Sequence, residues 1–154
     1  MKNNKGFSLV ELIIVIAIMA ILVGVMAPQL IKYIEKSKVS SDTQAADSIH
    51  TAVLTAMMDP EVVNDKSYNA EFSGYNAGAT SATSLKTNAG ANRPIASAAG
   101  EILGGSFVTD TLKSTNANDI SFQIVGNNKV SVWVVNSDSR GSKSGGATYN
   151  IIVQ

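Results

Sequence analysis

Cysteine is absent from the 154 residues, which excludes disulfides, thiol nucleophiles and cysteine-ligated metals together. Histidine occurs once, as His50, without a cysteine or an evident carboxylate partner, so no catalysis is assigned to it. Patterns for phosphate cradling, for a serine nucleophile elbow and for a zinc peptidase helix are also missing. The chain is therefore read as a non-enzyme with no cofactor. Charge of either sign is scarce: 12 basic and 12 acidic side chains give a formal net charge of zero. No global field exists to draw in nucleic acid or anionic lipid, and no nucleic acid partner is assigned. Aromatics make up 6% of the chain, with Trp133 the one tryptophan; one modest core is expected, because the first quarter of the 154 residues is so unlike the rest that the compact part must be smaller still. No Asn-x-Ser/Thr sequon occurs. The polar part is instead built from Asn, Ser, Thr, Gly and Ala, a surface suited to an exterior environment.

What the chain does have is one long apolar run, "KGFSLVELIIVIAIMAILVGVMAPQL" at residues 5–30. Lys2 and Lys5 precede it, and from Phe7 to Ala27 it is 21 residues long, enough to cross a bilayer as a helix. The two lysines would stay on the cytoplasmic side. A secretory signal cut after Ala27 would leave Pro28 as an awkward first residue, with Glu11 interrupting the apolar region to no purpose. A plain single-span anchor leaves Glu11 equally unexplained. At the centre of a membrane helix a carboxylate costs roughly 2.5–3.5 kcal/mol, but near the helix start it costs less and meets the positive end of the helix dipole.

The residues "KGFSLVELIIVIAIMAIL" closely resemble the class III signal of type IV prepilins and the related type II secretion pseudopilins. The match consists of a short basic leader ending in Gly6, an aromatic at Phe7, a carboxylate at Glu11 and an unbroken apolar run with Pro28 beyond it. The resemblance implies that a membrane prepilin peptidase cuts between Gly6 and Phe7 and methylates the new amine on Phe7. The apolar segment then survives in the mature protein. Gly6 suits such a cut because it lets the backbone extend with no side chain to clash. The ammonium exposed on Phe7 is a fitting partner for Glu11, because an unpaired charge in an apolar filament interior is strongly unfavourable. Phe7 and Glu11 are thus the expected assembly pair, within one subunit or between neighbours.

Pro28 lacks the N–H that would reach the Gly24 carbonyl, and its ring crowds that group. Gly24 and Pro28 therefore mark the expected weak point of the helix. In similar pilins this segment loosens on passing from bilayer to filament. Ala20 and Gly24 form a small-xxx-small pair that lets helices approach closely in lipid.

Beyond Pro28 the pattern becomes one-sided. Leu30, Ile31 and Ile34, then Ala46, Ile49, Val53, Ala56 and Met57, recur at helical spacing. Lys32, Glu35, Lys36 and Lys38 read as a solvated collar just outside the membrane. Pro60 predicts a helix end near Met58, so the helix from Phe7 covers 52 residues, about 80 Å if continuous. Its upper half is expected to pack on a sheet and its lower half on other copies of itself. Residues 59–94 read as a long surface loop with room for a short strand, and Pro94–Leu103 as a short helix. "ISFQIVGNNKVSVWVV" alternates at Ile120, Phe122 and Ile124, turns at Gly126, Asn127 and Asn128, and resumes at Val130, Val132 and Val134, the signature of a β-hairpin. "TYNIIV" supplies a further strand with Tyr149, Ile151 and Val153 on one side.

The expected fold is α+β, the pilin fold: a long N-terminal helix packed on a C-terminal antiparallel sheet of three or four strands. The expected division is a cleaved leader at 1–6, a membrane and assembly helix at 7–28 and a head at 29–154. Within the head, the helix runs to about 58, a loop covers 59–119 and the sheet 120–154. Major pseudopilins hold calcium in loops near their final strands, but Asn136, Ser137, Asp138 and Ser139 offer one carboxylate where such a site gathers several oxygen ligands; no metal is assigned. The resemblance implies a structural subunit of a type IV pilus, held by a single span in the cytoplasmic membrane with its head outside and then polymerised into an extracellular fibre. It implies as partners other copies of itself, a prepilin peptidase, an assembly platform with its ATPase, and minor pilins. The alternatives are a pseudopilin of a secretion or DNA-uptake system, and a monomeric membrane-anchored binding module.

Overall fold

A computed structural model of the chain describes residues 8–87, 92–104, 112–113, 117–126, 129–136 and 152–153. It divides into two compact units, Met1–Ser37 and Lys38–Gln154. The expected leader 1–6 and Phe7 lie outside the described residues, as do Asn127, Asn128, Ser137, Asp138, Ser139, Tyr149 and Ile151.

Helix α1 (Leu9–Met58) carries Pro28 in its interior. In the first unit, every residue from Leu9 to Ile34 is exposed, although the stretch is rich in β-branched residues that form helices only moderately well in water. In lipid that reluctance matters less, because a helix is the one single-segment structure that satisfies all its own backbone groups.

In the second unit α1 behaves as an ordinary amphipathic core helix. Its buried stripe is Asp42, Ala46, Ile49, Ala52, Val53, Ala56 and Met57, and the three alanines let neighbouring elements approach the backbone closely. The helix stops at Met58 because Asp59 is extended (φ −72°, ψ 121°), with Pro60 next. Asp59 Oδ1 accepts the Glu61 N–H at 2.9 Å, capping the short helix α2 (Pro60–Val63).

The remaining elements are α3 (Tyr68–Ala77), β1 (Thr80–Ser81), α4 (Thr83–Thr87), α5 (Pro94–Ile102), β2 (Ala117–Val125), β3 (Lys129–Asn136) and β4 (Ile152–Val153). The strands form one antiparallel sheet in the order β1-β2-β3-β4. The expected hairpin is β2–β3, with Ile124 opposite Val130, Phe122 opposite Val132 and Ile120 opposite Val134. Its turn passes through Gly126 at φ +67°, a left-handed conformation that glycine adopts without strain. All six of those apolar side chains are buried in one core with the α1 stripe. Asp119, Ser121, Ser131 and Trp133 are buried as well, so the alternate face of the hairpin is withdrawn from water away from its turn, where Val125 and Lys129 are exposed.

The loop expected over 59–119 needs correction, because the described residues of that stretch hold four helices, a strand and the start of β2, which begins at Ala117 rather than 120. Helix α3 forms despite its Asn- and Gly-rich composition because Tyr68, Phe72 and Tyr75 fall on one face. Tyr68 stacks on Phe72 at 5.8 Å, and Tyr75 meets Phe122 of the sheet at 4.9 Å. Helix α5 matches the expectation for Pro94–Leu103. Leu30, Ile31 and Ile34, counted as part of one apolar face, are exposed.

Two buried carboxylates, Asp42 and Glu71, help tie the second unit together across long stretches of chain. Asp42, 1% exposed, accepts the Lys113 N–H at 2.9 Å. Glu71 is buried at the start of α5, where its carboxylate accepts the Ile95 and Ala96 N–H groups at 2.8 and 3.1 Å and the Tyr75 hydroxyl at 2.9 Å. The carboxylate thus caps α5 from another helix and meets the positive end of its dipole. Burial, and then the Glu71 charge beside it, push the Tyr75 phenol above its ordinary range, with Arg93 opposing.

Two predictions follow from this packing. A Cβ on Gly100 would stand 2.9 Å from the Leu85 carbonyl oxygen, whereas one on Gly74 would meet nothing within 4 Å. Gly100→Ala should destabilise the fold by about 1–3 kcal/mol, while Gly74→Ala should be neutral or gain up to about 1 kcal/mol; thermal melts of the two variants in detergent separate the cases. The unfolded chain ionises Tyr75 near pH 10 while the folded chain holds its proton, so stability is complete below about pH 10 and declines as the pH rises further. Denaturant midpoints at about pH 9 and pH 11 should therefore diverge in the native chain and converge in Tyr75→Phe.

Candidate functional site

The start of α1 holds the one acid of the apolar run. Ser8 precedes the helix, and the Leu12 N–H donates to its carbonyl at 3.2 Å. Three residues on, Glu11 turns back so that Oε2 accepts the Ser8 N–H at 3.0 Å. This is the carboxylate half of a capping box, in which a glutamate at the third helical position satisfies the backbone donor of the N-cap residue. Sequence reasoning missed it, although Ser-x-x-Glu ahead of an apolar run is its standard signal.

The bond has a geometric consequence for the expected assembly pair. It occupies one carboxylate oxygen and leaves Oε1 with no donor among the described residues. The carboxylate is held against the first turn, exposed, at the positive end of the helix dipole. An anion fixed there suits a cation arriving from outside the helix. Gly6 and Phe7 lie outside the described residues, so Glu11 is the member of the expected cleavage and assembly set whose position is known.

The flank of the site is hydrocarbon. An 18-residue window of α1 has a mean hydropathy of 3.0, and none of it is buried. Ile13, Ile14, Ile16, Ile18, Ile21 and Leu22 are each more than half exposed. So large an unbroken apolar surface marks a contact with lipid or with another protein. Ala20 and Gly24 lie within it, and a Cβ on Gly24 would meet nothing within 4 Å. Four residues on, Pro28 leaves the Gly24 carbonyl without its usual helical donor.

Elsewhere the second unit offers little that is chemically poised. His50 is half-buried on α1. The cleft of about 390 Å³ between α3 and the start of α5 is lined by Glu71, Tyr75, Asn92 and Arg93 among others, and its carboxylate is already spent on capping α5. Among the described residues no group of three or more His, Cys, Asp or Glu side chains is placed to hold a metal.

Comparison with known proteins places the same N-terminal segment first. Residues 1–27 match the family model of the prokaryotic N-terminal methylation motif. The chain is similar to the type IV major fimbrial protein FimA of Dichelobacter nodosus, 34% identical over 117 residues that cover 76% of this chain and 69% of that protein. It is similar to a fimbrial protein of Moraxella nonliquefaciens, 42% identical over 55 residues and 36% of each chain. A fimbrial protein of Pseudomonas aeruginosa is 34% identical over 86 residues, 55% of this chain and 54% of that one. No solved structure matches. The long N-terminal helix, the antiparallel sheet and the similarity to FimA over more than two thirds of both chains lead to one conclusion: the chain belongs to the type IV fimbrial protein, or pilin, family.

Proposed function

We propose that this chain is the structural subunit of a type IV pilus, anchored in the cytoplasmic membrane by α1 and then polymerised through the same helix into an extracellular fibre. The observation that carries this reading is the bare apolar surface of α1 from Leu12 to Ala27. Water does not tolerate such a surface, lipid covers it in the monomer, and copies of the same helix cover it in the fibre. The fimbrial names of the relatives favour a pilus over the pseudopilin alternative.

In this reading residues 1–6 are a leader, removed by a prepilin peptidase between Gly6 and Phe7, and the Phe7 amine is then methylated. Glu11, positioned by Ser8, receives that ammonium from its own chain or a neighbour's, so charge neutralisation in an apolar interior sets the register between helices. Gly24 and Pro28 form the point where α1 gives way as it leaves the bilayer. The machinery that extracts the subunit is an assembly platform driven by an ATPase, and minor pilins join the same fibre. The fibre's task is motility, adhesion or aggregation. No residue is assigned a catalytic role.

Glu11→Ala should leave the chain in the membrane fraction at native levels while fibre yield falls at least tenfold, the scale of one unpaired buried charge. Membrane flotation and sheared-fibre yield, measured on the same cells, separate anchoring from assembly. Normal fibre yield from that variant would overturn the pairing, and loss of flotation would overturn the anchor.

A further inference from the structure

The chemistry of α1 changes within one turn where its apolar stretch ends. Gln29, Lys32, Tyr33 and Lys36 are all exposed and together line a cleft of about 210 Å³. Their spacing puts them on one face of the helix. Two lysines one turn apart repel each other mildly, and among the described residues neither makes an ion pair. Glu35, the acid between them in sequence, has an interaction of its own. A shared anion would turn this repulsion into attraction.

The depth of the face in a bilayer says where such an anion sits. At 1.5 Å per residue, Lys32 stands about 35 Å along the helix from Leu9. The hydrocarbon layer is about 30 Å thick and the bilayer about 40–45 Å with its headgroups. With Leu9 at the inner hydrocarbon edge, Lys32 falls about 5 Å past the outer edge, in the layer of lipid phosphates. Lys36 lies about 6 Å further out, where its flexible stem can reach back. Tyr33 is the kind of side chain that favours the same interface. The preference of lysine for the cytoplasmic side does not account for this collar, since Lys2 and Lys5 precede the span in sequence and Lys32, Lys36 and Lys38 follow it.

We propose that Gln29, Lys32, Tyr33 and Lys36 form a binding face for the phosphate of anionic phospholipid in the outer leaflet, occupied while the subunit waits in the membrane. This rests on reading α1 as the membrane anchor. Two ammonium groups favour a headgroup with net negative charge over a choline headgroup, whose own cation they repel. Extraction into a fibre must then break these contacts, so the face sets both the depth of the waiting subunit and part of the resistance to its removal.

The test uses the full chain in phosphatidylcholine bilayers containing traces of spin-labelled phosphatidylglycerol or phosphatidylcholine, reading the fraction of each label immobilised at the protein. Phosphatidylglycerol should be enriched about threefold or more over phosphatidylcholine. K32Q/K36Q should bring the ratio to parity, whereas K2Q/K5Q and excess inorganic phosphate should leave it enriched. Parity in the native chain, enrichment surviving K32Q/K36Q, or enrichment abolished by K2Q/K5Q would each overturn the proposal. Displacement by inorganic phosphate would reassign the face to soluble anions, and lost fibre yield with lipid preference intact would reassign it to a second copy's carboxylates; both overturn it too. Vesicle flotation of the native chain checks the anchor separately, because a chain that fails to float refutes the membrane reading and not merely the lipid preference.

Discussion

The governing constraint is an apolar helix that its own chain does not cover. From Leu9 to Ile34 no side chain of α1 is withdrawn from solvent, and at about 25 cal/mol per Å² an exposed surface of that size cannot persist in water. Two environments can cover it, a bilayer and an array of like helices. A subunit that passes from one to the other exchanges one apolar surrounding for a second, so the transfer itself is close to neutral in hydrophobic terms. The direction of assembly must then come from something other than hydrophobicity, and polar contacts at the two ends of the run are the available source.

Glu11 occupies the N-terminal end of the run. Its carboxylate is tied to the Ser8 N–H at 3.0 Å, which fixes the helix start and removes one backbone donor that lipid would leave unsatisfied. The same bond holds the charge where a cation can reach it. A residue that were only a cap could be replaced by a neutral glutamine at small cost; one that also receives an ammonium in an apolar interior could not. At the other end, the exposed face of Gln29, Lys32, Tyr33 and Lys36 is proposed to make its contacts with the bilayer and not with the apolar seam. In the proposed roles the two ends act in opposite senses, Glu11 favouring the fibre and the collar the membrane.

Much of this was legible in the residues, and the limits have physical causes. The end of α1 at Met58 follows from Asp59-Pro60, and the β2–β3 hairpin from strict alternation around Gly126, because both signals are local. The capping of α5 by Glu71 was not legible, since the partners are 24 and 25 residues apart and nothing near Glu71 announces them. Helix α3 hid behind Asn and Gly, its formation resting on aromatic contacts with Phe122, far along the chain. The Asp42 contact with Lys113 spans 71 residues and is likewise tertiary. The Ser8–Glu11 pairing had a local signal, overshadowed by the oddity of an acid in an apolar run.

The central claim is that α1 is retained as an assembly helix with a processed amine at its start. Mass and N-terminal sequence of the mature protein recovered from cells test it most directly. The account predicts a chain beginning at Phe7 and heavier by one methyl group. A chain beginning at Pro28 would mean that the apolar helix is discarded and the head released, and would contradict it.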